Sequence, residues 1–166
     1  MIVGAKILPR VSDGHIDMDD PRAEDVRALL ATHLTFARSQ TPPEDAHAMD
    51  VDRLLDPAVT FFSYRAGGSL LAVGALKQLD PHHGEIKSMH TAEAARGRGL
   101  GRMMLEHLIA VARVRGYSRL SLETGSMASF APARSLYAGA GFEPCEPFGD
   151  YRDSPNSTYM TLRLAG

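Results

Sequence analysis

Six consecutive residues, Arg96-Gly97-Arg98-Gly99-Leu100-Gly101, restrict the fold of this chain more than any other feature. They stand between a β-rich run, residues 84–91, and an amphipathic run, residues 99–115, so the chain reads as strand, turn and helix. Glycine at 97, 99 and 101 removes the β-carbons that would hold a ligand off the backbone, and it permits positive φ. A helix that starts here leaves its first N–H groups without intrahelical partners and presents about half a positive charge at that end. Arg96, Arg98 and Arg102 add guanidinium forks suited to phosphate oxygens, with Glu93 the only nearby opposing charge. Such a turn suits a diphosphate.

The spacing excludes two familiar glycine-rich turns. A P-loop ends in Gly-Lys-Ser/Thr, whereas Gly101 is followed by Arg102 and Met103. The dinucleotide fingerprint Gly-x-Gly-x-x-Gly, started at Gly97, needs glycine where Arg102 stands. The hexapeptide does match Arg/Gln-x-x-Gly-x-Gly/Ala. With the strand before it, the helix after it and the later Leu136-Tyr137-x-x-x-Gly141-Phe142, it resembles the GNAT superfamily of N-acetyltransferases, most strongly over the C-terminal half.

That resemblance implies an α/β fold with a mostly antiparallel central sheet, one parallel strand pair splayed at the cofactor site, and flanking helices. It implies that Arg96, Gly97, Arg98, Gly99, Leu100, Gly101 and Arg102 bind the pyrophosphate of acetyl-coenzyme A (acetyl-CoA). Met89, His90 and Thr91, on the preceding strand, then hold the pantetheine arm through the backbone. Glu85 lies eleven positions before Arg96, the offset of the glutamate base in well-known members of the family, and Tyr137 matches the tyrosine that protonates the departing thiolate. A bulge near Met89 would free backbone N–H groups to polarise the thioester carbonyl. Many members carry asparagine three residues before the alanine matched by Ala133; here Phe130 stands there, which puts one cofactor hydrogen bond in doubt and leaves residues 123–127 to replace it.

The residues themselves carry the same chemistry part of the way. Acetyl transfer to an amine needs the neutral amine, so a base is required, and Glu85 is the first candidate with Glu123 its substitute. Cys145 and Ser121 need no nucleophilic role when both reactants are held together. His33 and His47 lie on helical stretches that form a wall of the acceptor site in this family. Glu44, Asp45, Asp50 and Asp52 make that wall mildly acidic, which suits a cationic acceptor and equally a solvated face. The expected activity is acetyl transfer to a primary amine of a small or amino-acid-like molecule. A protein lysine or N-terminus, and a non-catalytic acyl-CoA sensor, are the alternatives.

Along the chain, residues 2–8 suit a strand, and the acid-rich residues 12–20 suit a solvated turn. Asp20-Pro21 starts a helix bearing Val26, Leu29, Leu30 and Leu34, and a second short helix follows Pro43 and runs through Leu54. Residues 59–65 and 70–78 form a hairpin through Ala66-Gly67-Gly68-Ser69, and a third strand runs from about Gly84 to Thr91. After the helix, a strand around Leu120 and Leu122 runs parallel to the third. A helix framed by Pro132 and Gly139 and two weaker strands, residues 142–148 and 157–164, close the chain.

At 166 residues with 44% hydrophobic and 23% charged, residues 1–166 suit a single soluble domain. A net charge of -2 gives no field that demands nucleic acid. The one cysteine, Cys145, excludes an internal disulfide and a cysteine-based metal cluster, and points to a reducing cytoplasm. No apolar run is long enough for a membrane span, the acidic loop before Pro21 lacks the calcium-ligand order, and no metal is expected. A homodimer is compatible with the sequence.

Overall fold

The computed structural model describes residues 13–40 and 51–164, and side chains for all of these except 33–40. The expected strand at residues 2–8 lies outside the described residues, as do His47, Glu44, Asp45, Asp50 and the side chain of His33. In chain order the elements are β1 (Gly14–Met18), α1 (Glu24–Gln40), α2 (Val51–Leu54), β2 (Val59–Ala66), β3 (Ser69–Asp80), β4 (His83–Thr91), α3 (Leu100–Val114), β5 (Arg119–Gly125), α4 (Ala131–Gly139), β6 (Glu143–Pro144) and β7 (Ser157–Arg163). The described strands form one seven-stranded sheet in the order β1-β2-β3-β4-β5-β7-β6. All neighbours pair antiparallel except β4 and β5, which are parallel, as the intervening helix requires.

The sheet has a core on each face. On one, α3 buries Met104, Leu105, Leu108 and Ala112 against Leu76, Ile86, Leu120 and Leu122. These are the apolar positions of its 3.6-residue period, and each fully buried leucine contributes roughly 1.5–3 kcal/mol. On the other face, Val26 and Leu30 of α1 and Leu54 of α2 pack on Phe61, Val73 and Ala75. Alternate residues of β3 therefore serve different layers, which is why its sequence reads as a continuous apolar run.

Three local expectations are corrected. Residues 14–18 are a strand rather than a solvated turn, at the edge of the sheet among the described residues and paired from Gly14–Ala66 to Met18–Phe62. Only Ile16 packs inward while His15 and Asp17 face solvent, too short an alternation to outweigh the acidic composition. Helix α1 begins at Glu24, one turn later than Asp20-Pro21 suggests, because the Asp20 carboxylate and carbonyl accept the N–H groups of Arg22 and Ala23 and close a turn first. In the tail, regular pairing at residues 142–148 shrinks to Glu143–Pro144, since Pro144 and Pro147 have no N–H to give a ladder.

Candidate active site

Strand β4 organises the site. It pairs with β3 as far as Thr91, but its ladder with β5 ends at Ile86–Leu122. Beyond that pair the strands part, and the edge of residues 87–91 is left outside the β4–β5 ladder. A bulge falls in the same place: Lys87 pairs with Ala75 and His90 with Val73, so Ser88 and Met89 together oppose Gly74. Ser88 takes φ 56°, a left-handed conformation that costs a non-glycine residue of order 1–2 kcal/mol and re-aims the N–H groups around it.

After β4 the chain makes a short 3₁₀ turn, Glu93–Ala95, and enters the glycine and arginine loop. Gly97 and Gly99 have φ 77° and 79°, and the space where their β-carbons would stand is open. Gly99 caps α3 without a side-chain partner, and the first helical bond is donated by Met103 N–H to the Gly99 carbonyl. The N–H groups of Leu100, Gly101 and Arg102 thus precede the helical ladder. Gly101 has a different duty: a β-carbon there would come within 3.3 Å of Leu136, so it lets α3 and α4 approach. Arg96 is exposed and Arg98 half-buried, while Arg102 is turned along α3 to Glu106 at 3.1 Å. An open cradle of backbone donors at a helix N-terminus fits a diphosphate.

A buried polar cluster lies on the other face of β4. Ile86 packs under α3, so period-two alternation turns Glu85 and Lys87 away from that helix. Glu85 is 3% exposed. Its Oε2 accepts hydrogen bonds from Lys87 Nζ at 3.1 Å and from the Tyr151 hydroxyl at 2.6 Å, and Lys87 Nζ also donates to Tyr151 Oη at 2.8 Å. The Lys87 ammonium sits 5.3 Å from the Tyr151 ring centroid, and that ring packs edge-on to Phe148 and beside Tyr159. Burial, then the Glu85 charge, hold the Tyr151 phenol far above its ordinary range. Ser121, the register partner of Glu85, is fully buried and shares hydrogen bonds with His83 and Thr161. Burial, then the Arg119 guanidinium, push the His83 imidazole down, which favours its neutral form.

Tyr137 lies on α4, buried against Phe142, and its phenol is pushed up to about 12, first by burial and then by the Glu123 charge. It therefore keeps its proton throughout the neutral range. Phe130, in the position of the family asparagine, covers the end of β5: a β-carbon on Gly125 would overlap its ring at 2.3 Å. The Ser126 hydroxyl is engaged by the Pro155 carbonyl, while Arg134 Nη1 donates to the carbonyls of Gly125 and Met127 and braces this loop.

Lys87 and Tyr151 are partners of Glu85 that sequence reasoning missed. The Glu85-x-Lys87 alternation could have shown the first, because strand neighbours two apart share a face. Tyr151 carries no such signal, being 66 residues away. Among the described residues, no cluster of three or more His, Cys, Asp or Glu could hold a metal ion, and no helix is long and apolar enough to cross a membrane.

Residues 23–142 match the model of the acetyltransferase (GNAT) family. The chain is 49% identical over 150 residues to the uncharacterized N-acetyltransferase YsnE of Bacillus subtilis, covering 90% of this chain and 99% of that one. It is 46% identical over 149 residues to the uncharacterized N-acetyltransferase YedL of Escherichia coli, covering 90% and 94%. A protein named IAA acetyltransferase from Azospirillum brasilense is 36% identical over 158 residues, covering 95% and 100%. In fold, it resembles a Bacillus subtilis acetyltransferase solved in complex with CoA, with TM-score 0.69, 19% identity and coverage of 92% and 99%. A fork between parallel strands, a bulge beside it and an open glycine cradle thus coincide with matches across most of the chain, and the chain belongs to the acetyltransferase (GNAT) family as an acetyl-CoA-dependent N-acetyltransferase.

Proposed function

We propose that residues 1–166 act as one catalytic domain that passes an acetyl group directly from acetyl-CoA to the primary amine of a small, amino-acid-like molecule in the cytoplasm. The cosubstrate supplies a thioester-activated acetyl group. The backbone around residues 97–102 holds its diphosphate, with Arg96, Arg98 and Arg102 adding charge, and Met89, His90 and Thr91 hold the pantetheine arm along the open edge of β4. N–H groups at the Ser88–Met89 bulge stabilise the charge that gathers on the carbonyl oxygen as the amine approaches. Glu85 receives the proton the acceptor must lose, and Tyr137 returns one to the sulfur that departs.

The observation that carries this reading is a buried carboxylate on β4, Glu85, next to the fork and just before the bulge. The relative named IAA acetyltransferase supports a small-molecule acceptor. The aromatic wall of Phe148, Tyr151 and Tyr159 is consistent with an acceptor that has an apolar body.

A screen of free amines, amino acids and lysine-containing peptides with acetyl-CoA, read by release of the CoA thiol, tests it. Turnover with a small amine and little with peptides is expected. Preference for peptide lysines or N-termini would replace the small-molecule reading, and turnover with no amine would sink it.

A further inference from the structure

The carboxylate assigned as base does not itself face an acceptor. Glu85 is 3% exposed, and its Oε2 is covered by the Lys87 ammonium and the Tyr151 hydroxyl. Tyr151 is the more accessible of the two oxygen-bearing groups, half-buried on the segment between β6 and β7. We propose that Tyr151 is a catalytic residue of the acetyl transfer: its hydroxyl relays the acceptor's proton to Glu85. This rests on the reading of Glu85 as the base.

The geometry suits a two-step handover. Tyr151 Oη already donates to Glu85 Oε2 at 2.6 Å, so its proton lies along the line of transfer. When an acceptor ammonium donates to the phenolic oxygen, its N–H bond breaks and a new Oη–H bond forms. In the same movement the original Oη–H bond breaks and a Glu85 Oε2–H bond forms. The phenol ends as it began, neutral, and Glu85 holds the proton. The freed amine lone pair makes the C–N bond as the C–S bond breaks. Tyr137 gives the departing thiolate its proton and is restored by the nitrogen's second one, and Glu85 later releases its own to solvent.

The surroundings favour a relay over a phenolate base. Glu85 on β4, Glu123 on β5 and the Tyr159 phenol on β7 all disfavour a negative charge on Tyr151, Phe148 packs against its ring, and Lys87 on β4 is the cation facing it. A phenol so placed passes a proton on without holding charge. Lys87 pairs with Glu85 and donates to the phenol oxygen, fixing how the two meet, which makes it a positioning residue.

The test uses the full chain, acetyl-CoA and two kinds of acceptor. One is whichever of tyramine, benzylamine, spermidine and methionine amide the unaltered chain turns over fastest, each mostly ammonium at neutral pH. The other is hydroxylamine, which is mostly neutral there. Tyr151→Phe keeps the ring stack and is expected to lower kcat for the ammonium acceptor about 100-fold. Its KM and its rate with hydroxylamine should stay within about threefold, and the ammonium rate should recover as pH rises toward that amine's own titration. Where Tyr151→Phe does not fold, 3-fluorotyrosine at position 151 keeps the hydroxyl but changes its acidity, and an unchanged pH profile would overturn the relay.

Equal losses with both acceptors would make Tyr151 merely structural. Full activity in Tyr151→Phe beside a crippled Glu85→Gln would overturn the relay and leave the base standing. Full activity in both variants, or no turnover by the unaltered chain on any of these amines, would remove the base reading and the relay with it.

Discussion

The two ends of the reaction site, though both grow from β4, are made of different material. The proposed diphosphate cradle consists of consecutive residues and mainly of backbone: open space over Gly97 and Gly99 and the first N–H groups of α3. The proposed acceptor end consists of side chains: Glu85 and Lys87 from one strand meet Tyr151, which arrives from a segment far along the chain. A backbone site tolerates most side-chain changes and fails where a special φ is lost. A side-chain site can fail through the loss of a single oxygen.

This contrast can be broken most directly at Glu85. Glu85→Gln should reduce kcat about 10²–10⁴-fold for an ammonium acceptor while leaving acetyl-CoA affinity, measured by calorimetry, nearly unchanged. A large loss of affinity would mean that the two ends are not separable. At the other end, Gly99→Val places a branched residue at φ 79°. It should cost about 1–3 kcal/mol in stability, and weaken acetyl-CoA at least about tenfold by disturbing N–H groups that meet charged oxygens. Melting and calorimetry together check this, and wild-type affinity in a folded Gly99→Val would move the diphosphate elsewhere.

A smaller effect is expected from Tyr137 at alkaline pH. Its phenol titrates near 12 in the folded chain, against about 10 when unfolded. The proton is thus held more tightly by the native state, so this contribution is whole below pH about 10 and is lost as pH rises from there through about 12. The loss should reach about 2–3 kcal/mol at most, and Tyr137→Phe should flatten this part of the alkaline melting curve. An equally steep curve in the variant would count against a buried phenol. The smallest effect belongs to Gly101→Ala. Helix propensity gains up to about 1 kcal/mol while Leu136 must yield slightly, so stability should move by less than about 1 kcal/mol and acetyl-CoA affinity hardly at all. A large loss of affinity would give Gly101 the same duty as Gly99.

The same division decides what could be read in advance. The β2–β3 hairpin, β4, α3, β5 and α4 follow from turn residues and apolar periods only a few residues long, and they stand where these signals put them. Strand β1 was missed and β6 was expected too long because each is decided by the partner it meets: Gly14–Met18 by β2, and Glu143–Pro144 by β7. Glycine roles divide likewise. Positive φ at Gly97 and Gly99 is implied by a turn before a helix, whereas the close approach at Gly101 depends on where α4 lies.

By itself, then, the sequence determined the order of strand, loop and helix and with it the family, because hydrogen bonding of a continuous backbone depends on neighbours in the chain. Tertiary structure alone decided that Glu85 is buried, charge-paired with Lys87 and hydrogen-bonded by Tyr151. Burial and hydrogen bonding of side chains depend on which distant segments are folded together, and no local pattern encodes that distance.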